Sequence, residues 1–338
     1  MSIKKVLLII AVLLAAAFVL AACAGPAGSI GPAGPAGPVG PTGPAGAAGA
    51  NPSAADLTCT QCHNNTNLIT SKAEAWATSL HGSGTAFLSE GPTAGCAGCH
   101  SGSGFLADLA AGLTPDKSVA DPNPTQQDCR TCHTIHTTYT NADFALTTTG
   151  SVTMYATTTT YDGGEGNLCA NCHQARRVIP AAAADGTIAV TIRFGPHHGP
   201  QSDMLLGVGG AGAVTGTPSP HYSTVPNTCV TCHMGDNKNH TFAPDVATCV
   251  TCHAGATSFD MNGAITALDG KIATLKAALT TAGLLDKTGA IVAGNFPEAQ
   301  ANALWNYLLV GVEDKSHGVH NMPYANALLD ASLAVFGK

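Results

Sequence analysis

The spacing of apolar residues changes character along this chain of 338 residues, and each change marks a different kind of segment. Val6 to Leu20 is an apolar run behind Lys4 and Lys5. From Gly25 to Gly49 every third residue is glycine, with proline following at positions 26, 32, 35, 38, 41 and 44, so no apolar face can form. Between residues 51 and 260 no long helical or strand period is sustained. A threonine-rich, β-prone piece covers residues 147–161, and residues 187–194 (Thr-Ile-Ala-Val-Thr-Ile-Arg-Phe) alternate as a short strand. Beyond residue 253 the pattern becomes helical. Ile265, Leu268, Ile272, Leu275 and Leu279 recur at helix spacing, as do Ala303, Trp305, Leu308 and Leu309. A final helix is predicted from Asn321-Met-Pro323 through Leu328, Leu329, Leu333 and Val335, with proline in its tolerated first turn.

The aperiodic stretch is organised by a motif. Cys59-Thr-Gln-Cys62-His63 recurs as Cys96/Cys99/His100, Cys129/Cys132/His133, Cys169/Cys172/His173, Cys229/Cys232/His233 and Cys249/Cys252/His253. A single C-x-x-C reads equally well as a zinc knuckle or a redox dithiol, but six copies, each followed by histidine, match the c-type haem attachment pattern. Two thiols three residues apart each add to one haem vinyl group, and the next imidazole then lies under the iron, so the six motif histidines are proximal ligands. Twelve of the 13 cysteines are used in this way. First-cysteine spacings of 37, 33, 40, 60 and 20 residues are too irregular for a solenoid, and the last places the fifth and sixth motifs close together.

Composition agrees. Aromatic residues are 5% and charged residues 10%, with 39 glycines and 20 prolines, leaving few side chains for a large apolar interior. Residues 51–338 provide 48 residues per motif (288/6). Six c-type haems are therefore expected to supply most of the buried apolar surface, with only short helices and loops around them. The net charge of −7, made more negative by haem propionates, excludes nucleic acid as a natural partner.

Residues 1–23 read as an export signal, too short in its apolar part for a permanent span. Leu20-Ala-Ala-Cys23 resembles the bacterial lipoprotein box, which makes Cys23 the lipidated N-terminus and a membrane anchor. Ala24 after it permits the outer membrane. The glycine triplets of residues 24–50 have the collagen period. They read either as a trimerising stalk or, preferred here, as a polyproline-II spacer reaching at most about 80 Å at about 3.1 Å per residue.

Eight of the 14 histidines lie outside the motifs: His81, His136, His197, His198, His221, His240, His317 and His320. Eight candidates suffice for six distal positions. His136, three residues after His133, would share a helical face with it and so must serve a different haem. His197 and His198, in Gly195-Pro-His-His-Gly-Pro200, diverge if extended; at least one is expected to be a ligand, with His198 taken first and His197 as the alternative. His221 and His240 precede the fifth and sixth motifs and are expected to cap the haem at or just before the following motif. His320 is favoured over His317, which is the first candidate for a bystander. The distal set is thus His81, His136, His198, His221, His240 and His320. Met154 and Met204 are weak candidates for axial sulfur, while Met234, directly after His233, is expected to face the wrong way for its own iron. Irons closed by two imidazoles are low-spin and of low potential, and only outer-sphere electron transfer is left to them.

With these residues in view, the chain resembles the multihaem c-type cytochromes of metal-reducing bacteria, in particular the outer-surface lipoprotein and nanowire-type hexahaem proteins. The resemblance rests on the six motifs, Cys132-His-Thr-Ile-His136, Gly-Pro-His-His-Gly-Pro-Gln201, Asn239-His-Thr-Phe242 and Gly318-Val-His-Asn321. It implies a fold mostly of coil with short α-helices packed around six haems, few short β-strands and a helical C-terminal region (261–338) after the haem-binding region (51–260). It also implies electron transfer to external acceptors such as metal oxides or partner cytochromes, at the cell surface or the periplasmic face. Homo-oligomer or filament formation stays open, since the lipobox and glycine triplets set this chain apart from soluble filament formers. The rival reading is an enzyme, a nitrite, hydroxylamine or tetrathionate reductase with one open iron; no C-x-x-C-K is present, and an electron carrier is preferred.

Overall fold

The computed structural model describes residues 67–338. The first motif, Cys23 and the glycine triplets lie outside the described residues.

Up to residue 260 the chain forms short helices: α1 (Asn67–Thr78), α2 (Leu80–Ser83), α3 (Ala86–Glu90), α4 (Ala97–His100), α5 (Gly102–Ala111), α6 (Cys129–Cys132), α7 (Asn167–Ala170), α8 (Gln201–Leu206), α9 (Pro220–Thr224), α10 (Cys229–Met234) and α11 (Val246–Cys249). Several exist because a motif closes one turn. The His N–H donates to the first Cys carbonyl at 3.0 Å in the second motif, 2.9 Å in the third and fourth, and 2.7 Å in the sixth. Local caps start two of them. Asp128 Oδ1 accepts the Arg130 and Thr131 N–H groups, and Asp245 Oδ1 accepts that of Ala247. The threonine-rich piece is a small antiparallel hairpin of β1 (Val152–Thr153) and β2 (Thr160–Tyr161).

The alternating stretch forms a shorter strand than its pattern suggests. β3 (Thr187–Val190) pairs antiparallel with β4 (Gly294–Pro297) and then stops, because the Phe194 N–H turns back onto the Thr191 carbonyl at 2.9 Å. The helical end comprises α12 (Ala264–Thr281), α13 (Glu298–Tyr307), a π-helical segment (Leu308–Glu313) and α14 (Met322–Ala334).

This helical end has a side-chain core of its own. Leu268, Leu275, Leu279, Leu304, Leu309, Leu328 and Leu329 are buried in one side-chain core, together with Ile188 and Val190 of β3 and with Met204 of α8. Fully burying each such side chain contributes about 1.5–3 kcal/mol. Composition averaged over the whole chain hides this, because 11 of the 27 leucines fall between residues 268 and 333.

Polar stitches fasten the 209–217 loop to the helical end. Trp305 Nε1 donates to the Gly209 carbonyl at 2.9 Å, the Tyr324 hydroxyl accepts the Gly210 N–H at 2.8 Å, and Asn306 exchanges two hydrogen bonds with the Ala211 backbone. Asn321 Nδ2 donates to the Thr217 carbonyl at 2.9 Å. The loop that leads into α9, the helix carrying His221, is thereby referenced to the helical core. Among the described residues no helix is long and apolar enough to cross a membrane.

Candidate functional site

Each described motif presents two thiols along one helical turn, and the ten described cysteines are all free, with no disulfide among them. What lies across from each motif histidine is another histidine. His173 faces His81 with ring centres 6.1 Å apart, His100 faces His197 at 6.3 Å, and His133 faces His240 at 6.2 Å. His253 faces His221 at 6.1 Å, and His233 faces His320 at 6.3 Å. A metal–imidazole bond of about 2.0–2.1 Å, with about 1.1 Å from nitrogen to ring centre, puts two trans rings about 6.3 Å apart across one metal. Five pairs share that one separation, although packing alone would scatter it.

The rings are also held in the tautomer a metal needs. His133 Nδ1 lies 2.7 Å from the Phe144 carbonyl, His233 Nδ1 2.9 Å from that of Phe242, His240 Nδ1 2.7 Å from that of Lys238, and His221 Nδ1 2.7 Å from that of Val319. A carbonyl can only accept, so Nδ1 carries the proton and the lone pair is left on Nε2. His173 Nδ1 is held by Gln201 Oε1 at 3.1 Å, and His320 Nδ1 by Asp314 Oδ1 at 2.6 Å. Burial, aided by the neighbouring His173, lowers His81 to about 4, and burial with His198 and nearby arginines lowers His197 likewise to about 4. Both rings therefore stay neutral, the ligating form. For His320, burial pulls downward, but the Asp314 charge and hydrogen bond more than offset it and the net direction is upward.

Orphaned polar atoms mark where a group belongs. His197 Nε2 is buried without a hydrogen-bond partner, as is Arg176 Nε just beyond the fourth motif. Among the described residues no cluster of three or more His, Cys, Asp or Glu is arranged around a bare ion. Axial donors come in twos across a gap, beside a thiol pair. That donor set fits c-type haem, whose porphyrin would supply the four equatorial nitrogens, and the unpaired Arg176 suits a propionate.

Several sequence expectations change place. His197, not His198, faces His100, because His197 adopts a left-handed φ of 72° between Gly195 (φ 125°) and Gly199 (φ 95°), which turns its ring inward. His198 points outward, with its Nδ1 2.9 Å from Glu313 Oε2 and its side chain 74% exposed. His136 is not on a helix with His133. α6 ends at Cys132, His136 has a φ of 63°, and its ring stacks on Tyr139 at 5.4 Å. His240 faces the third motif, neither the following one nor the one just before it. His221 faces the sixth and not the adjacent fifth. His81, between the first two motifs in sequence, faces the fourth. His320 lies across from the fifth motif, and His317 instead pairs with Asp269 at 2.7 Å. Met154 and Met204 are fully buried core side chains.

Sequence reasoning missed the groups behind the rings. Gln201 holds His173 and also donates to the Glu313 and Asp314 carbonyls at 3.1 and 3.2 Å, which ties the fourth-motif site to the π-helical segment. Gln201 follows a Gly-Pro pair directly, but nothing in sequence reports its partner. Asp203, fully buried, accepts the Ala175 N–H at 2.6 Å and is pushed up to about 6 by burial.

The motifs also meet one another. The Cys172 thiol donates to the Gly98 carbonyl at 3.6 Å; Cys172 pulls the Cys99 thiol down and is itself pushed up, and Cys169 does the same to the Cys229 thiol. Cys132 acts electrostatically on both fourth-motif thiols, and Cys249 and Cys252 act on Cys232. The fourth motif is thus central, with the second, third and fifth around it and the sixth beyond the fifth.

Two solved structures are similar to the chain. The outer cell wall cytochrome OcwA matches over 78% of this chain and 49% of its own, at 24% identity and a TM-score of 0.49. The undecahaem cytochrome from the S-layer of Carboxydothermus ferrireducens matches over 68% of this chain and 33% of its own, at 20% identity and a TM-score of 0.41. This chain spans about half the length of the first and a third of the second. No family model and no curated protein matches it.

Proposed function

We propose that the chain is an exported hexahaem c-type cytochrome that passes electrons between closely spaced irons, each closed by two imidazoles, toward acceptors outside the cell. The observation that carries this reading is the set of five facing histidine pairs, each made of one motif and one non-motif ring, at 6.1–6.3 Å.

When bound, haem supplies reversible one-electron chemistry. The chain's own residues do the rest. The ten described motif thiols, with Cys59 and Cys62, attach the porphyrin edges. His100, His133, His173, His233 and His253 would hold the iron together with His197, His240, His81, His320 and His221, respectively. For His63, His136 is the proposed partner. α1 follows the first motif directly, and its Trp76 donates to the Gln127 carbonyl beside the third motif, at whose end His136 lies. His198 and His317 are left as outer-surface rings.

Closed irons leave no position for substrate, so the chain positions, insulates and tunes. The thiol interactions support a path from the second motif through the fourth and fifth to the sixth, with the third joining at the fourth. The lipobox Cys23 and the glycine triplets would anchor and extend this unit from an outer membrane.

Exposure of the dithionite-reduced holoprotein to carbon monoxide tests the reading. Full closure gives an unchanged ferrous spectrum, and the ferric protein is low-spin with six haems per chain. Rapid uptake by native protein, or a large high-spin ferric fraction, would replace the conduit with an open-iron reductase.

A further inference from the structure

One of the facing pairs is built differently from the rest. Where the other paired rings have an Nδ1 acceptor it is a neutral oxygen: a backbone carbonyl for His133, His221, His233 and His240, and the Gln201 amide for His173. His320 alone among them is held by a carboxylate, Asp314 Oδ1, at 2.6 Å. That carboxylate is fully buried, while the ring is 17% exposed. Its second oxygen accepts the Ser316 hydroxyl, and its backbone N–H is held by the Leu309 carbonyl at 3.0 Å. Among the described residues no lysine or arginine pairs with it, so its charge is met only by hydrogen bonds. The two other carboxylate–histidine contacts, Glu313 with His198 and Asp269 with His317, involve outward rings that are 74% and 59% exposed and face no motif histidine.

We infer that Asp314 is a positioning residue that sets the iron site between His233 and His320 to the lowest reduction potential of the five described sites. The inference rests on the bis-imidazole reading above. A buried carboxylate draws on the Nδ1 proton and gives the ring imidazolate character, which strengthens donation from Nε2 and favours the ferric state. In a low-dielectric surrounding the uncompensated negative charge acts in the same direction. The step is a one-electron reduction of ferric to ferrous iron by a neighbouring site of the same chain. The Nδ1 proton stays within the His320–Asp314 hydrogen bond, and no bond breaks. Lying between the fourth and sixth motifs, this site forms a low-potential step within the path.

The test is spectroelectrochemical titration of the full holoprotein with Asp314→Asn, which keeps the shape and an oxygen acceptor and removes only the charge. The lowest one-electron step should move to higher potential by at least a tenfold change in the oxidised-to-reduced ratio, about 59 mV for one electron. The remaining steps should stay in place, and Glu313→Gln should move none of them. A lowest step that does not move in D314N, with all low-spin signals intact, overturns the inference, and so does a uniform shift of every step. A second measurement needs no variant. In wild-type ferric protein one site should show its near-infrared porphyrin-to-iron charge-transfer band at higher energy than the others, and a single common band energy also overturns the inference. Carbon monoxide uptake by wild-type protein would instead defeat the underlying bis-imidazole reading, so the two failures are separable.

Discussion

His197 and His198 are neighbours in sequence with opposite surroundings, and the difference is set by backbone torsion. His197 holds a left-handed φ, unfavourable for a residue with a Cβ, and its buried Nε2 has no other partner. Strain of that kind persists where the surrounding structure fixes it, here by the glycines on either side and by the adjoining fourth motif. His197→Ala should therefore open one iron, giving a high-spin ferric signal of about one haem in six and carbon monoxide binding in the same proportion. His198→Ala removes only an exposed contact to Glu313 and should leave both readouts at the wild-type level. The reverse outcome would exchange their roles. Sequence alternation predicts divergence for an extended pair, but His197 is not extended and the two ring centres lie only 4.7 Å apart. Alternation cannot say which one turns inward, because that depends on a φ that neither histidine dictates. The Asp314 contact is equally invisible in sequence. Residues 314–320 (Asp-Lys-Ser-His-Gly-Val-His) contain two histidines and one acid, and only the folded turn brings the acid to the second ring.

At the level of elements, the long helices are legible and the short ones are not. α12 and α14 follow directly from leucines at helical spacing, and the Asn321-Met-Pro323 start is realised as drawn. Asn321 Oδ1 accepts the Tyr324 N–H at 3.2 Å, while its amide nitrogen reaches Thr217. Asn321→Ala removes both contacts at a buried cap, for an expected loss of about 1 kcal/mol and a melting temperature lower by about 2–4 °C. Thermal unfolding followed by circular dichroism reads this, with the ferric low-spin signals at room temperature unchanged; an unaltered melting temperature would show that the cap contributes nothing. The turn after the third motif shows the opposite case. Three-residue spacing between His133 and His136 suggests one helical face, yet α6 ends at Cys132. The His133 ring is committed to the Phe144 carbonyl, and the chain folds back so that His133 bridges Leu146. A tertiary hydrogen bond outweighs a one-turn helix, which has little cooperativity of its own.

For the whole molecule, the order of sites in space differs from their order in sequence, and the pairings explain why. His81 closes on a motif 92 residues further on, and His240 on one 107 residues back (173 − 81 and 240 − 133). Such long-range closures depend on loop geometry, which local spacing does not encode. The relative twist of each facing pair is also a property of the assembled fold, and it has a spectroscopic consequence. The unpaired electron of low-spin ferric iron occupies one of two dπ orbitals, each raised by π-donation from an imidazole ring. Two rings in nearly the same plane act on the same orbital and split the pair. Crossed rings act on one orbital each and leave them nearly degenerate, which enlarges the g anisotropy. Three pairs are crossed, His81 with His173 at 75°, His100 with His197 at 76° and His221 with His253 at 73°. Two are closer to coplanar, His133 with His240 at 32° and His233 with His320 at 40°. Low-temperature electron paramagnetic resonance of the oxidised holoprotein should accordingly resolve two classes of low-spin signal, strongly anisotropic and rhombic, in a ratio of three to two among these sites. Asp314→Asn should perturb only the rhombic class, because its partner ring belongs there. A single homogeneous class would mean that loading with haem resets the ring planes, and the spatial order of the irons would then have to be established independently of the twist.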